Sequence, residues 1–134
     1  MADLQRFHAA QEGVYPRVRA EIQAGDKRSH WMWFVFPQIT GLGSSPSARL
    51  YAISDRAEAR AYLDDPVLGA RLLECAALVH ALEQPMFGVP DDLKLRSSMT
   101  LFAMAADDPS PFQAALDRWN GGGRDERTLQ LMRR

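Results

Sequence analysis

The sequence has little of what disulfide frameworks, metal sites and membrane segments require. A single cysteine, Cys75, occurs among the 134 residues, so neither a disulfide framework nor a thiolate metal site can form within the chain. No hydrophobic run approaches the roughly 20 residues of a membrane-spanning helix, and the first residues lack the basic and then apolar layout of a secretory signal. We therefore expect a cytoplasmic protein with no membrane association.

An excess of charge of one sign is also absent. The chain has 16 Lys plus Arg residues against 17 Asp plus Glu residues, a formal net charge of −1, so no global field attracts nucleic acid. A local patch of Arg17, Arg19, Lys27 and Arg28 would predict nucleic-acid binding with a steep salt dependence. The balanced charge disfavours that function.

Several cofactor and catalytic motifs are missing. Gly41 and Gly43 are not followed by a third glycine at the dinucleotide-binding spacing, and no phosphate-binding loop ends in Gly-Lys-Ser or Gly-Lys-Thr. His8, His30 and His80 are far apart in the sequence, so a metal site would need chance convergence. The Gly-x-Ser-x-Gly signature of serine hydrolases is absent as well. We expect no metal and no cofactor.

What the chain does have is one strongly aromatic segment, residues 27–38, which holds two of the three tryptophans. Each aromatic side chain can bury about 150–250 Å², so the other elements are predicted to pack around this segment. Ser29 is placed to cap a short helix that runs to Phe36 and ends at Pro37. A buried strand over 31–36 is the alternative, but it has few β-type partners elsewhere in the chain.

Helical periodicity and capping signals account for the rest of the chain. They predict helices over about 3–11, 14–24, 48–53, 55–63, 66–82, 91–105, 112–119 and 126–133, with caps at Asp3, Ser45, Ser54, Asp65 and Asp125. The pattern over 66–82 is the longest and predicts a central helix. Since no convincing strand alternation occurs, the fold is predicted to be all-α: a compact single domain over 1–134 with about eight short helices.

The first candidate site surrounds the aromatic segment. Lys27 can hold an anionic group, His30 can titrate near neutral pH, and Trp31 and Trp33 offer flat faces for stacking beside Gln38. Packing is the alternative interpretation, because tryptophans two positions apart on a short helix usually belong to the core. A histidine beside them usually finds a backbone partner.

The second candidate site lies on the helix after Pro90. Lys94 reaches Ser97 at i+3 and Ser98 at i+4, so the three side chains share one face. A lysine can activate a nearby hydroxyl if burial lowers the pKa of the lysine. The more common arrangement is a solvated face, or serines that bond back to their own helix.

A glycine-rich loop over 41–46 follows the aromatic segment. Gly43 and Ser45 lie in this loop, and its flexibility would let backbone amides approach a ligand closely. If the two polar segments converge, they would line one cleft over an aromatic floor.

Several motif segments together resemble the bacterial family known as domain of unknown function 1810: 27–38, 51–53 with 58–63, 66–72 and 91–102. The most specific parts lie within 30–38 and 94–102. The resemblance extends from about Leu4 to Leu131 without a large insertion. It implies a compact, all-helical cytoplasmic protein but no particular reaction. Many relatives have a histidine where this chain has Asp65, which puts any general-base role at that position in doubt. Aspartate is, however, a good helix-capping residue.

Two functions from different classes follow. The first is a binding site for a small anionic or nucleotide-like ligand between 27–45 and 94–100. In it, Lys27 and Lys94 hold the anion, His30 transfers or shares a proton, and a tryptophan stacks. The second is a protein-interaction module without chemistry, which requires an exposed apolar aromatic surface of several hundred Å². The residues do not decide whether the first of these would be an enzyme.

Overall fold

The computed structural model describes residues 3–133, and all the regular secondary structure in that part of the chain is helical. The nine helices are α1 Gln5–Gln11, α2 Tyr15–Ala24, α3 Met32–Val35, α4 Pro46–Leu50, α5 Arg56–Asp64, α6 Leu68–His80, α7 Asp91–Ala105, α8 Ser110–Trp119 and α9 Glu126–Met132. The predicted all-α fold is confirmed. The short helix predicted within the aromatic segment is present as α3, and counting it brings the helices of the described residues to nine.

Helix α7 is the most enclosed element of the bundle. It contacts α3, α5, α8 and α9, and its buried residues lie on every side of the helix rather than along one stripe. They include three polar residues, Ser97, Ser98 and Thr100. Helix α6, expected to be central, also packs against four helices, α2, α3, α5 and α8. The apolar residues of α6 nevertheless follow a more regular helical spacing than those of α7, because α6 keeps one side facing solvent.

The aromatic segment lies in the core, as expected, but its helix begins later than predicted. Helix α3 covers only Met32–Val35, and Trp31 rather than Ser29 occupies the residue before it. The predicted cap at Ser29 is therefore wrong. Its hydroxyl instead donates a hydrogen bond to Glu21 on α2.

Glu21 holds the chain that leads into α3. Its carboxylate accepts hydrogen bonds from the backbone N–H of Arg28 at 2.7 Å, the backbone N–H of Ser29 at 3.1 Å and the indole Nε1 of Trp31 at 2.9 Å. Burial raises the pKa of Glu21, but these bonds and the Ser29 hydroxyl outweigh burial and lower it from 4.5 to about 2. The charged carboxylate is thus part of the fold.

Substitution of Glu21 should remove a pH-dependent part of the stability. Because the pKa in the folded state lies below the unfolded value, the stabilisation is complete above about pH 4.5 and is lost as the pH falls towards about 2. Glu21→Gln is expected to lower the free energy of unfolding at pH 7 by about 1–2 kcal/mol. In urea titrations from pH 7 to pH 2.5, the gap between wild type and variant should close. The exposed Glu83→Gln is the control, and a gap that stays constant with pH would exclude this role.

The chain between α3 and α5 forms a closed loop that is held at its base. The backbone N–H of Thr40 donates to the Ile53 carbonyl and the backbone N–H of Ile53 to the Gln38 carbonyl, both at 2.8 Å. On the outside, Arg6 of α1 donates to the carbonyls of Leu50 and Ala52 at 2.8 Å and 2.9 Å. Helix α4 ends at Leu50, earlier than predicted, because the following residues turn away to make these contacts.

The residues that cap α4 and α5 agree only in part with those predicted from the sequence. Ser45 caps α4 as predicted, since its Oγ accepts the N–H of Ala48 at 3.1 Å. The cap of α5 is Asp55 rather than the predicted Ser54, because Asp55 Oδ1 accepts the N–H of Glu58 at 2.8 Å.

Asp65 performs the capping role expected of it. Its Oδ1 accepts the N–H groups of Val67 and Leu68, both at 2.9 Å. Its Oδ2 lies 2.8 Å from Nε2 of His8 on α1. Helix α6 itself begins at Leu68, two residues later than predicted.

Candidate functional site

An open pocket of about 260 Å³ lies between the closed loop and the N-terminal half of α7. We call it the α7 pocket. Its walls carry two aromatic rings, several polar or charged side chains and two glycines, namely Trp33, Tyr51, Gln38, Thr40, Arg49, Lys94, Ser97, Asp125, Gly41 and Gly43. Polar and aromatic groups therefore meet in one concave surface.

The structure brings five of the predicted site residues together in this pocket. They come from three separate stretches of sequence and are Trp33, Gln38, Gly43, Lys94 and Ser97. Trp33 and Gln38 are half-buried, whereas Ser97 retains only 6% exposure. The convergence predicted between the aromatic segment and the helix after Pro90 is thus present for these five residues.

The other predicted residues lie elsewhere. Trp31 is 2% exposed, and with the exposed His30 it borders a separate cavity of about 60 Å³. Trp31 therefore has no free face in the α7 pocket. Ser98 is fully buried, and its Oγ has no hydrogen-bond partner among residues 3–133. Ser45 is occupied as the cap of α4.

Lys27 is connected to the pocket through Asp91. Its Nζ lies 3.0 Å from Asp91 Oδ2, while Lys94 Nζ lies 3.2 Å from Asp91 Oδ1. These are the two lysines of the whole chain. Burial raises the pKa of Asp91, but the hydrogen bonds and charges of the two lysines outweigh burial and lower it. One carboxylate is thus shared by two ammonium groups, which leaves a net positive charge at this side of the pocket.

Lys94 also contacts an aromatic ring. Its Nζ lies 4.1 Å from the centre of the Trp33 ring, within the range of a cation–π interaction. The side chain is 20% exposed, so the ammonium group is held in place but remains accessible. Within the described residues its one hydrogen bond goes to Asp91 and none goes to Ser97 or Ser98. The lysine-activated serine considered from the sequence is not assembled in this conformation.

One glycine of the glycine-rich loop, Gly43, is required by packing. A Cβ at Gly43 would lie 2.7 Å from the Ala48 Cβ, a distance that real side chains do not adopt. The loop must pass this close to α4 to complete the pocket wall. Glycine is needed there for that contact, whether or not a ligand approaches the backbone.

Four of the polar and aromatic pocket residues are not identified by the sequence: Thr40, Arg49, Tyr51 and Asp125. Asp125 was interpreted only as a helix cap, and it does cap α9. Asp91 lies in the first turn of α7, where the helix dipole already explains an acidic residue, so its position in the sequence gives no indication of its two lysine partners. No local sequence signal distinguishes these residues from ordinary surface residues.

Over residues 3–133, no three His, Cys, Asp or Glu side chains are grouped as a metal ion would require. The helices of that range also include none with the length and hydrophobicity needed to cross a bilayer.

Fold and pocket together define an all-helical, single-domain protein with a polar cleft beside its most enclosed helix. The chain belongs to the family described as "Protein of unknown function (DUF1810)", whose model matches residues 1–132. The resemblance seen in the sequence motifs is confirmed. Among solved structures, the crystal structure of the conserved hypothetical protein Rv1873 from Mycobacterium tuberculosis is similar, with 54% identity and a TM-score of 0.96. The alignment covers 98% of this chain and 97% of that one. No curated protein matches the chain.

Proposed function

We propose that the α7 pocket binds a small anionic metabolite through Lys94. The observation that carries this proposal is the shared carboxylate: Asp91 neutralises only one of Lys27 and Lys94, which lie 3.0 Å and 3.2 Å from it. The ammonium group that lines the pocket is Lys94. An anion placed there would restore charge balance and would receive a charge-assisted hydrogen bond.

The rest of the pocket supports the same function. Arg49 is exposed at the pocket wall and adds a second cation. Trp33 and Tyr51 supply apolar surface for the body of a ligand. The volume of about 260 Å³ is just below the roughly 300–1,000 Å³ of sites for drug-sized ligands, which favours a small metabolite.

The alternative functions have less support. An interaction module would need an exposed aromatic surface, yet the large exposed apolar residues of the described chain are all aliphatic, at positions 50, 67, 73, 89 and 93. The patch considered for nucleic acid is mostly neutralised. Arg19 pairs with Glu74, Arg28 with Asp26 and Lys27 with Asp91. Because those cations already have carboxylate partners, they do not form a free basic surface.

A pair of lysine variants tests this function. Lys94→Ala is expected to weaken the binding of phosphate-bearing probes about 10- to 100-fold, since a hydrogen bond to a charged group is worth about 1.5–3 kcal/mol. Lys27→Ala leaves the pocket lining unchanged but removes the excess positive charge, because Asp91 would then pair with Lys94 alone; it should weaken binding less, about 3- to 10-fold. Arg28→Ala breaks an ion pair with Asp26 outside the pocket and should leave binding unchanged. Binding of inorganic phosphate, ribose 5-phosphate and AMP would be measured by thermal shift and calorimetry, because ligands that bind the native state raise its melting temperature.

A spectroscopic measurement can locate the binding directly. Because the chain has two lysines, reductive methylation with carbon-13 formaldehyde gives two lysine signals besides that of the N-terminus, and Lys27→Arg assigns them. The Lys94 signal should move on titration with a bound probe. If no probe binds, or if Lys94→Ala binds as well as wild type, the proposed function is wrong.

A further inference from the structure

Asp125 gives the α7 pocket an acidic end that the anion proposal does not use. The carboxylate lines the pocket with Lys94 and Ser97. Its Oδ2 accepts the backbone N–H of Thr128 at 2.9 Å and the hydroxyl of the same residue. Its Oδ1 accepts no hydrogen bond from residues 3–133, and a carboxylate has enough lone pairs to accept further donors.

The position of Asp125 is set by the same helix that carries Lys94. The backbone N–H of Asp125 donates to Thr100 Oγ1 at 2.8 Å, and that hydroxyl donates to the Arg96 carbonyl on α7, also at 2.8 Å. Thr100 and Thr128 are fully buried. Buried hydrogen bonds therefore hold the carboxylate at a fixed place relative to α7.

This arrangement separates the two ends of the pocket by a defined distance. Lys94, Ser97 and Thr100 follow one another at intervals of three residues, and each interval rises about 4.5 Å along an α-helix. The helix positions of Lys94 and of Thr100, which holds Asp125, are thus about 9 Å apart along the axis, with Ser97 between them. A free phosphate ion is too small to contact both ends at once.

We infer that the pocket selects a monophosphorylated sugar. Its phosphate binds at Lys94, and its hydroxyl groups donate hydrogen bonds to the carboxylate of Asp125. This inference rests on the proposed anion site and specifies its ligand. Sugar hydroxyls supply the donors that an acceptor-only carboxylate requires, and Ser97 can donate to or accept from a hydroxyl in the middle. A sugar with a second phosphate at its far end is disfavoured, because that phosphate would meet the like charge of Asp125.

Asp125→Asn tests the inference because it should shift the preference of the pocket from sugar monophosphates towards a sugar bisphosphate. Asparagine caps a helix about as well as aspartate, so α9 should remain in place, and the variant removes the charge and replaces one acceptor oxygen with a donor amide. Ribose 5-phosphate and glucose 6-phosphate should bind the variant about 10-fold more weakly than wild type. Glucose 1,6-bisphosphate should bind the variant at least threefold more tightly than wild type, because the repulsion has been removed.

Matched variants and probes separate the outcomes. Asp55→Asn changes another aspartate cap, which is not part of the α7 pocket, and should leave all affinities unchanged. If Asp125→Asn lowers the melting temperature of the free protein, Ser97→Ala provides the second variant, with an expected loss of about fivefold for the monophosphates. A comparison of the affinities of AMP and ribose 5-phosphate decides whether the preferred sugar phosphate carries a nucleobase.

The inference and the proposed function can fail separately. Binding of sugar phosphates that depends on Lys94 but is the same in wild type and Asp125→Asn would overturn the inference and leave the anion site standing. The same conclusion follows if inorganic phosphate binds as tightly as the sugar phosphates. If no phosphate compound binds in a manner that depends on Lys94, both are wrong.

Discussion

Trp31→Ala is expected to lower the free energy of unfolding by about 4 kcal/mol, which corresponds to a fall of roughly 10–15 °C in melting temperature. The indole is 2% exposed, and its centre lies 6.2 Å from the Phe36 ring and 5.9 Å from the Phe87 ring. Its removal leaves a large cavity in the core. It also removes the donor that binds Glu21 at 2.9 Å. Urea unfolding at pH 7 measures the change.

The second tryptophan of the segment provides the matched control. Trp33 is half-buried at the edge of the α7 pocket, where its main polar contact is Lys94 Nζ at 4.1 Å. Trp33→Ala should cost about 1 kcal/mol or less in stability but should weaken any ligand held by the pocket. Similar stability losses in the two variants would contradict the assignment of Trp31 to the core and Trp33 to the pocket.

Gly69→Ala is expected to destabilise the protein by about 3 kcal/mol despite the better helix propensity of alanine. Alanine normally gains about 1 kcal/mol over glycine in a helix. At Gly69, however, a Cβ would lie 2.1 Å from the carbonyl oxygen of Leu63 and 2.9 Å from its carbonyl carbon. These are backbone atoms near the end of α5, so the clash cannot be relieved by a side-chain rotation. The start of α6 would have to move away from α5.

Gly88→Ala is the control for that substitution. Apart from its chain neighbours, no heavy atom of residues 3–133 lies within 4 Å of the place a Cβ would take at Gly88, so this change should alter stability by no more than about 0.5 kcal/mol. Urea unfolding of both variants gives the comparison. A neutral Gly69→Ala would mean that α5 and α6 do not pack as closely as described.

Helix positions were the part of the fold that the sequence predicted well. The proline and glycine stops, together with caps such as Ser45, Asp65 and Asp125, act on backbone groups within a few residues, so their effect can be deduced without the rest of the chain. Two of the errors occurred where a side chain had a distant partner. Ser29 bonds Glu21 instead of capping α3, and α4 stops early because the loop is held by Arg6.

The candidate site was predictable only in part. The sequence singles out the aromatic segment and the Lys94 helix as polar stretches that could line one cleft, and Trp33, Lys94 and Ser97 line the α7 pocket. The sequence could not distinguish Trp31 from Trp33, since two residues on a short helix differ in direction only once the helix is placed against its neighbours. Asp125 could not be assigned to the pocket, because its capping role explains the residue fully at the local level.

By itself, the sequence determined the class of fold and most helix boundaries, because periodicity, capping and helix-breaking residues act over about one helical turn. It also limited the chemistry, through the single cysteine and the absent phosphate-loop and serine-hydrolase motifs. Only the tertiary structure decided that the two lysines share Asp91 and that Lys94, Ser97 and Asp125 line one pocket. Those contacts join residues far apart in the chain, and their geometry depends on how the helices pack rather than on any local pattern.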